Sequence, residues 1–183
     1  MQNFSLYETL IGTAKQMGLE LRGLGENPLT SAQVQSGSTT FLAPTSGMQH
    51  WCRVNERILL ARDLRDARVF AGFQRMSRVR AVLKRYQGIC ERAREVWVFA
   101  QEDWRPVLPH ARLVAIDDID LCREWFLLIE SRRHKALLAA RELDDFDPMR
   151  PLASRQFEGV STFDAKLIIA ARDAIEDWIA SFL

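Results

Sequence analysis

The 183 residues carry 25 Lys+Arg against 24 Asp+Glu, a formal charge of +1 with a pI near 7.8, and 48% of them are hydrophobic. That length and apolar share suit one domain with its own core, and they exclude disorder by composition, because the chain can bury enough apolar surface to offset ordering entropy. The near-zero net charge speaks against a dedicated nucleic-acid or membrane-surface protein, and no apolar run reaches the ~18–20 residues of a membrane span. Met1, Gln2, Asn3, Phe4 and Ser5 lack the cationic start of a signal peptide, so the expectation is a soluble, cytoplasmic protein. Cys52, Cys90 and Cys122 are odd in number and widely spaced. They read as small buried hydrophobes in a reducing compartment rather than as a disulfide framework.

Taken in chain order, Ser5 with Glu8 three places on and Gly18 as the stop predicts a short helix over 5–18, with Leu6, Leu10, Thr13 or Ala14, and Met17 inward. Residues 22–37 are rich in Gly, Asn, Pro, Ser and Thr without a period and read as a loop or a poorly ordered stretch. Residues 39–43 read as a short strand, followed by a turn over 44–47. Helical spacing returns over 48–62, placing Trp51, Val54, Ile58 and Ala61 on one stripe. Residues 68–73 are β-rich and lead into a helical segment over 75–92, where Met76, Val79, Leu83, Tyr86 and Cys90 recur at gaps of three and four. Residues 95–100 are almost continuously apolar, the pattern of a strand covered on both faces, and complete a βαβ unit.

Two further strands are expected over 112–116 and 125–129. The acidic link between them is too short for a helical crossover, which predicts antiparallel neighbours and a mixed sheet. Residues 133–143 read as a helix, 144–151 as a loop, and 156–163 as a strand. Asp164 then caps a last helix with Leu167, Ala171, Ile175, Trp178 and Phe182 inward. The fold class is α/β (α+β): a single domain with a mixed sheet of about four to six strands flanked by helices. Residues 1–47 would be an N-terminal helix-and-loop extension, and 48–183 the main body.

Charge is segregated along the chain. Residues 62–94 hold ten Arg or Lys against three acids, while 95–183 hold eleven basic and seventeen acidic residues. A basic solvated face is the plain reading; head-to-tail self-association and docking onto an acidic partner are the sharper ones, and nucleic-acid binding lacks a recognition motif. There is no P-loop, no dinucleotide fingerprint after a strand, no G-x-S-x-G elbow and no H-E-x-x-H. His50, His110 and His134 lie in separate elements without zinc-ligand spacing, and the runs Asp117-Asp118-Ile119-Asp120 and Asp144-Asp145-Phe146-Asp147 do not continue into an EF-hand pattern. Metal and enzyme readings are therefore set aside.

The order of motifs is more informative than any one of them. Phe70-Ala71-Gly72-Phe73-Gln74 ends one strand, and Val96-Trp97-Val98-Phe99-Ala100 is followed by Glu102-Asp103. Then come Glu124-Trp125-Phe126-Leu127-Leu128-Ile129, the expected helix from Ala136 to Leu143, and Arg155-Gln156-Phe157-Glu158-Gly159-Val160-Ser161-Thr162-Phe163-Asp164. This series, over residues 48–180, resembles the DICT sensory domain, named for its occurrence with diguanylate cyclases and two-component systems. The resemblance implies a non-catalytic sensor or interaction module. Its implied partner is a histidine kinase, a cyclic-di-GMP enzyme or a transcription regulator, and a part in light responses is implied by the same company. No output domain is read in the 183 residues, so transmission is expected to run through a separate partner, with a homo-oligomer as the competing outcome. No cysteine lies in a bilin- or flavin-attachment motif, which leaves the cofactor unknown.

Ligands of open α/β sheets sit outside the carboxyl ends of the strands. That rule selects Gln74, past the end of one strand, and Glu102 with Trp104, past the end of its neighbour. Glu124 beside Trp125 would be costly to bury unless Arg155, Arg123 or a ligand paired with it, and Glu158 next to Gly159 could bring backbone close to the same place. The plain alternatives are an ion-pair partner for Glu124, a hydrogen-bonding helix-entry residue for Gln74, and core roles for Trp97, Trp125 and Trp178. Trp104, beside Arg105 and Pro106, is read as exposed and loop-borne.

Overall fold

The computed structural model describes residues 4–19, 21–23, 37–62, 65–117, 119–143 and 151–181. In order these form α1 (Leu6–Gln16), β1 (Arg22–Gly23), β2 (Thr39–Pro44), α2 (Thr45–Ala61), β3 (Arg68–Arg75), a 3-10 stretch (Met76–Val82) and α3 (Leu83–Cys90). There follow β4 (Glu95–Gln101), β5 (Ala111–Ala115), the single turn α4 (Ile119–Cys122), β6 (Glu124–Glu130), β7 (Lys135–Glu142), a 3-10 turn (Leu152–Ser154), β8 (Gln156–Thr162) and α5 (Ala165–Ala180). All eight strands join one mixed sheet, ordered β1-β2-β8-β7-β6-β3-β4-β5. β3, β4 and β5 run parallel, and β6, β7, β8 and β2 follow β3 in antiparallel alternation.

Helices cover both faces, which is why the central strands are apolar on both sides. β6 shows the division: Leu127 and Ile129 face a layer built with Met48, Trp51, Met76, Val79, Tyr86 and Ile89 of α2, the 3-10 stretch and α3. Phe126 and Leu128 face the layer of α1, α4 and α5, with Leu6, Leu10, Leu167, Ile175 and Trp178. The caps act as their sequence signals imply. The Ser5 hydroxyl accepts the Glu8 N–H (3.1 Å) at the start of α1, and Asp164 accepts the N–H groups of Lys166 and Leu167 (2.9 and 3.0 Å) at the start of α5. Gly18, at φ +65°, ends α1 in the left-handed conformation that costs glycine nothing, and the Leu19 N–H returns to the Ala14 carbonyl at 2.9 Å.

Several expectations are corrected. The sheet has eight strands rather than four to six, chiefly because residues 135–142, expected to be helical, form β7. Ala and Leu are strong helix formers, but here Ala136–Ala140 are buried on both faces between β6 and β8, and tertiary pairing overrides propensity. β5 and β6 are not neighbours, since β4 and β3 lie between them. β5 ends and β6 begins at the same end of the sheet, so the link spans about 14 Å, three strand spacings, well within reach of eight residues.

On α2 the buried stripe is Met48, Trp51, Cys52, Asn55, Glu56 and Leu59, while Val54 is exposed. The turn expected over 44–47 is the first turn of that helix. The helical segment expected over 75–92 divides into the 3-10 stretch and α3. Arg22 and Gly23, expected as loop, pair with Thr39 and Thr40. The rest of that expected loop to residue 36, the acidic run over 144–147 and Phe182 lie outside the described residues. α1 and β2, expected as part of an extension, supply a face and a sheet strand of this same unit.

Gly159, in the middle of β8, is held between β2 and β7. A Cβ there would stand 2.7 Å from Ala140 Cβ and 2.9 Å from the Ala139 carbonyl oxygen, and would run into the Phe41 ring. Gly159→Ala should therefore lower stability by about 1–3 kcal/mol through overpacking, read as a lower urea midpoint with an unchanged slope.

Candidate functional site

The strand directions bring the carboxyl ends of β2, β3, β4, β5 and β7 to the same end of the sheet as the amino ends of β6 and β8. All six residues selected from the sequence lie at that end. They divide among three settings: a buried polar cluster, a polar cleft on the α1 side, and the surface.

The buried cluster holds Gln74 and Arg155 together with Glu142, each with no solvent exposure. Arg155 Nη1 stands 2.7 Å from Glu142 Oε2, and Gln74 Nε2 donates to the same oxygen (3.3 Å) and to the Arg123 carbonyl (2.9 Å). Gln74 adopts φ +61°, a left-handed conformation rare for a side-chain-bearing residue, at the register shift where β3 leaves β4. Its Oε1 accepts from Arg78 Nη1, so the 3-10 stretch is tied to the cluster. Burial, with repulsion from Arg155, pushes Arg78 down to about 10, which still leaves a cation at neutral pH.

The polar cleft, about 350 Å³, contains Glu124 and Glu158 with Ser5, Glu8, Arg123 and Arg141. Among the described residues Glu124 meets neither Arg155 nor Arg123, the two protein partners that the sequence suggests beside a ligand. It accepts the Ser5 hydroxyl and the N–H groups of Leu6 (3.0 Å) and Tyr7 (3.2 Å), so it closes the amino end of α1 from another strand. Burial pushes its carboxyl up to about 8 against the pull of those donors, with the Asp120 charge adding to the rise. Glu158 pairs with Arg141 Nε at 2.6 Å, and the same guanidinium reaches Glu8 and lies over the Tyr7 ring.

Trp104 is half-buried rather than exposed: its ring lies 4.6 Å under the Arg80 guanidinium and packs against the core. Glu102 stands exposed beyond β4. Its neighbour Asp103 accepts the Ser77 N–H (2.8 Å) and hydroxyl (2.6 Å), which fastens the start of the 3-10 stretch to the exit of β4. Trp97 and Trp178 are buried and Trp125 is half-buried, in keeping with core roles.

Sequence reasoning missed the second cleft, about 390 Å³, between α2 and the 3-10 stretch with α3. Cys52, Phe73, Tyr86 and Trp125 supply its apolar surface; Arg53, Arg78, Arg80 and the pair Arg85–Glu56 (2.5 Å) supply its charge. Two signals were available. Glu56 lies at helical spacing from Cys52 and Leu59, Tyr86 sits on the stripe with Met76, Val79 and Leu83, and Arg78 and Arg80 belong to the basic run read as a solvated face. Burial, reinforced by the Glu56 charge, pushes the Cys52 thiol well up, the opposite of what a thiolate nucleophile requires. Among the described residues no group of three or more His, Cys, Asp or Glu is placed to hold a metal ion, and no helix is long and apolar enough to cross a membrane.

With the geometry in place, the comparisons with known proteins fall into order. The profile of the DICT family, described as the sensory domain in diguanylate cyclases and two-component system, matches residues 27–143. The chain belongs to the DICT family. The matched stretch of this DICT chain runs to the end of β7, while β8, α5 and α1 complete the sheet and its second face outside it. No curated protein matches the chain significantly. Among solved structures, the polyphosphate kinase from Porphyromonas gingivalis is similar in part, at 11% identity and a TM-score of 0.46, over 78% of this chain and 27% of that one. The DICT chain thus spans little more than a quarter of that protein's length. DICT is a sensory family.

Two predictions follow from the buried carboxylates. Arg155→Met leaves Glu142 charged and unpaired in a site without solvent, and should cost about 3–5 kcal/mol. Adding Glu142→Gln should recover part of that loss in urea unfolding. Glu124, whose carboxyl is raised above its ordinary 4.5, contributes stability that is complete below that value and is lost as pH rises through about 8. The melting-temperature advantage of the native protein over Glu124→Gln, which stays neutral, should therefore shrink between about pH 5 and pH 8.

Proposed function

We propose that this chain is the receiving element of a cytoplasmic signalling system. In this reading the cleft between α2 and the 3-10 stretch takes up a small molecule. The resulting change passes to a partner regulator (a histidine kinase, a cyclic-di-GMP enzyme or a transcription regulator) without covalent chemistry. The observation that carries the reading is the cleft itself. Its size falls within the range of small-molecule sites, its surface is mostly apolar with a few convergent polar groups, and it is bounded by Phe73 near the carboxyl end of β3 and Trp125 at the start of β6. Membership of a sensory family supports it, as does the raised Cys52 thiol.

A route outward is supported by the wall of the cleft. The 3-10 stretch has poorer hydrogen-bond geometry than an α-helix, so its rearrangement costs little. It is fastened at Ser77 to Asp103 beyond β4 and at Arg78 to Gln74 of the buried cluster, so movement there is felt by Glu102 and Trp104 on the surface. The alternative of charge-driven self-association is weakened by where the charges go. Basic residues of the 62–94 segment pair within the chain: Arg68 with Glu95 and Glu176, and Arg75 with Asp103.

Ala81→Trp places an indole on the exposed wall of the cleft and should fill it without disturbing the core. With a partner identified by capture from the native host, the expected result is that Ala81→Trp still binds that partner but no longer lets its kinase, cyclase or DNA-binding output respond. An output identical with native protein, with the variant and with no protein would sink the reading. The absorption spectrum of protein from that host separates a light-linked cue, which needs a visible band, from a diffusible ligand.

A further inference from the structure

The charges around the cleft are unequal in how they are used. Glu56, 2% exposed, is neutralised by Arg85, and Tyr86 hydrogen-bonds to the same carboxylate. The other three cations lining the cleft have no salt bridge among the described residues. Arg53 stands exposed on α2, Arg80 lies over the Trp104 ring, and Arg78 meets only the neutral amide oxygen of Gln74. Arg78 is also desolvated, and the repulsion it feels from Arg155 and Arg75 is only partly offset by the charges of Glu142 and Asp103, neither of which forms a salt bridge with it. A group in that position gains from a counter-anion more than an exposed arginine would, because removal from water strengthens the attraction while the like charges beside it are relieved. Desolvating Arg78 beside an apolar hollow is otherwise unfavourable, and Arg53 and Arg80 bring two further, exposed cations to its rim.

The shape complements the charge. Cys52, Phe73, Tyr86 and Trp125 offer a largely apolar floor, with the Phe73 and Tyr86 rings edge to face at 5.1 Å. A space of about 390 Å³ admits a molecule of one to three rings. An inorganic anion would leave that floor wet, and a neutral hydrocarbon would leave the arginines uncompensated.

We propose that the cleft is selective for small organic anions: an apolar, ring-bearing body on Phe73, Tyr86 and Trp125, with its carboxylate, phosphate or sulfonate held by Arg78 together with Arg53 and Arg80. This rests on the cleft being the sensory site, and it adds the chemical class of what enters.

The test uses two probes of nearly the same shape, anilinonaphthalene sulfonate and its uncharged counterpart N-phenylnaphthylamine, with fluorescence read on the full chain. The sulfonate should bind at least about tenfold more tightly, the scale of one charge-assisted hydrogen-bonded contact. Arg78→Gln should remove that preference without weakening the neutral probe. Arg53→Gln with Arg80→Gln, both at exposed positions, should reduce the preference in a protein whose melting is unchanged. Arg57→Gln, on the exposed side of α2, should leave both probes as they were. Naphthoate and naphthyl phosphate should each displace the sulfonate, and whichever does so at lower concentration tells a carboxylate from a phosphate ligand; inorganic phosphate alone should displace nothing. Equal binding of the two probes, indifferent to the arginine variants, would overturn the anion selectivity and leave the cleft standing as an apolar receptor. Failure of both probes to bind would overturn the receptor reading as well.

Discussion

Arg155 and Glu142 carry opposite charges at a place that water does not reach, and the arrangement of the sheet end follows from how that is tolerated. Two ions without solvent depend on close geometry and on hydrogen bonds to their remaining polar atoms. Here the pair stands at 2.7 Å, and Gln74 brings an amide N–H to the shared oxygen Oε2 from a third, non-consecutive strand end, while Glu142 Oε1 has no hydrogen-bond partner among the described residues. The shared oxygen joins the last residue of β7, the entry to β8 and the exit of β3. The same requirement accounts for Gln74 being held in a left-handed conformation, and through its amide oxygen the position of Arg78 and the 3-10 stretch is set. The wall of the apolar cleft is therefore placed by a buried ion pair that does not itself line that cleft.

The sheet separates two concave surfaces of contrasting character. On the α1 side the acids are consumed by structure: Glu124 serves the amino end of α1, and Arg141 is shared between Glu8 and Glu158. On the α2 side the surface is apolar and the cations exceed the carboxylates facing them. A net charge near zero conceals this asymmetry, because it counts charges without regard to whether each is matched where it stands.

Much of the fold was legible because its signals are local. Ser5 and Asp164 announce their helices, residues 95–100 announce a strand covered on both faces, and the βαβ unit follows from the helical stripe through Met76, Val79 and Tyr86 between two such strands. The failures are where local and tertiary preferences diverge. β7 is composed of helix-forming Ala and Leu, and only the presence of β6 and β8 on either side makes it a strand; with that misreading Glu142 was lost as a candidate, since on a helix it has no reason to be buried. The link between β5 and β6 was judged by its length, although what matters is that both strands end at the same end of the sheet. Arg78 was absorbed into a basic run whose total charge says nothing about which member turns inward.

What the sequence by itself determined is the set of local commitments: where helices begin, which runs are apolar on both sides, that one mixed sheet flanked by helices results, and the DICT resemblance, which the family match bears out over residues 27–143 without extending to the motif at 155–164. These depend on spacing and neighbours along the chain, which the sequence states outright. Only the tertiary structure decided the strand order, the partner of each buried charge, and the cleft. Arg155 and Glu142 are 13 residues apart and Ser5 and Glu124 are 119 apart, and no periodicity links such pairs. Which charge meets which is settled when the strands assemble, because desolvation makes the cost of a wrong pairing depend on everything else that closes around it.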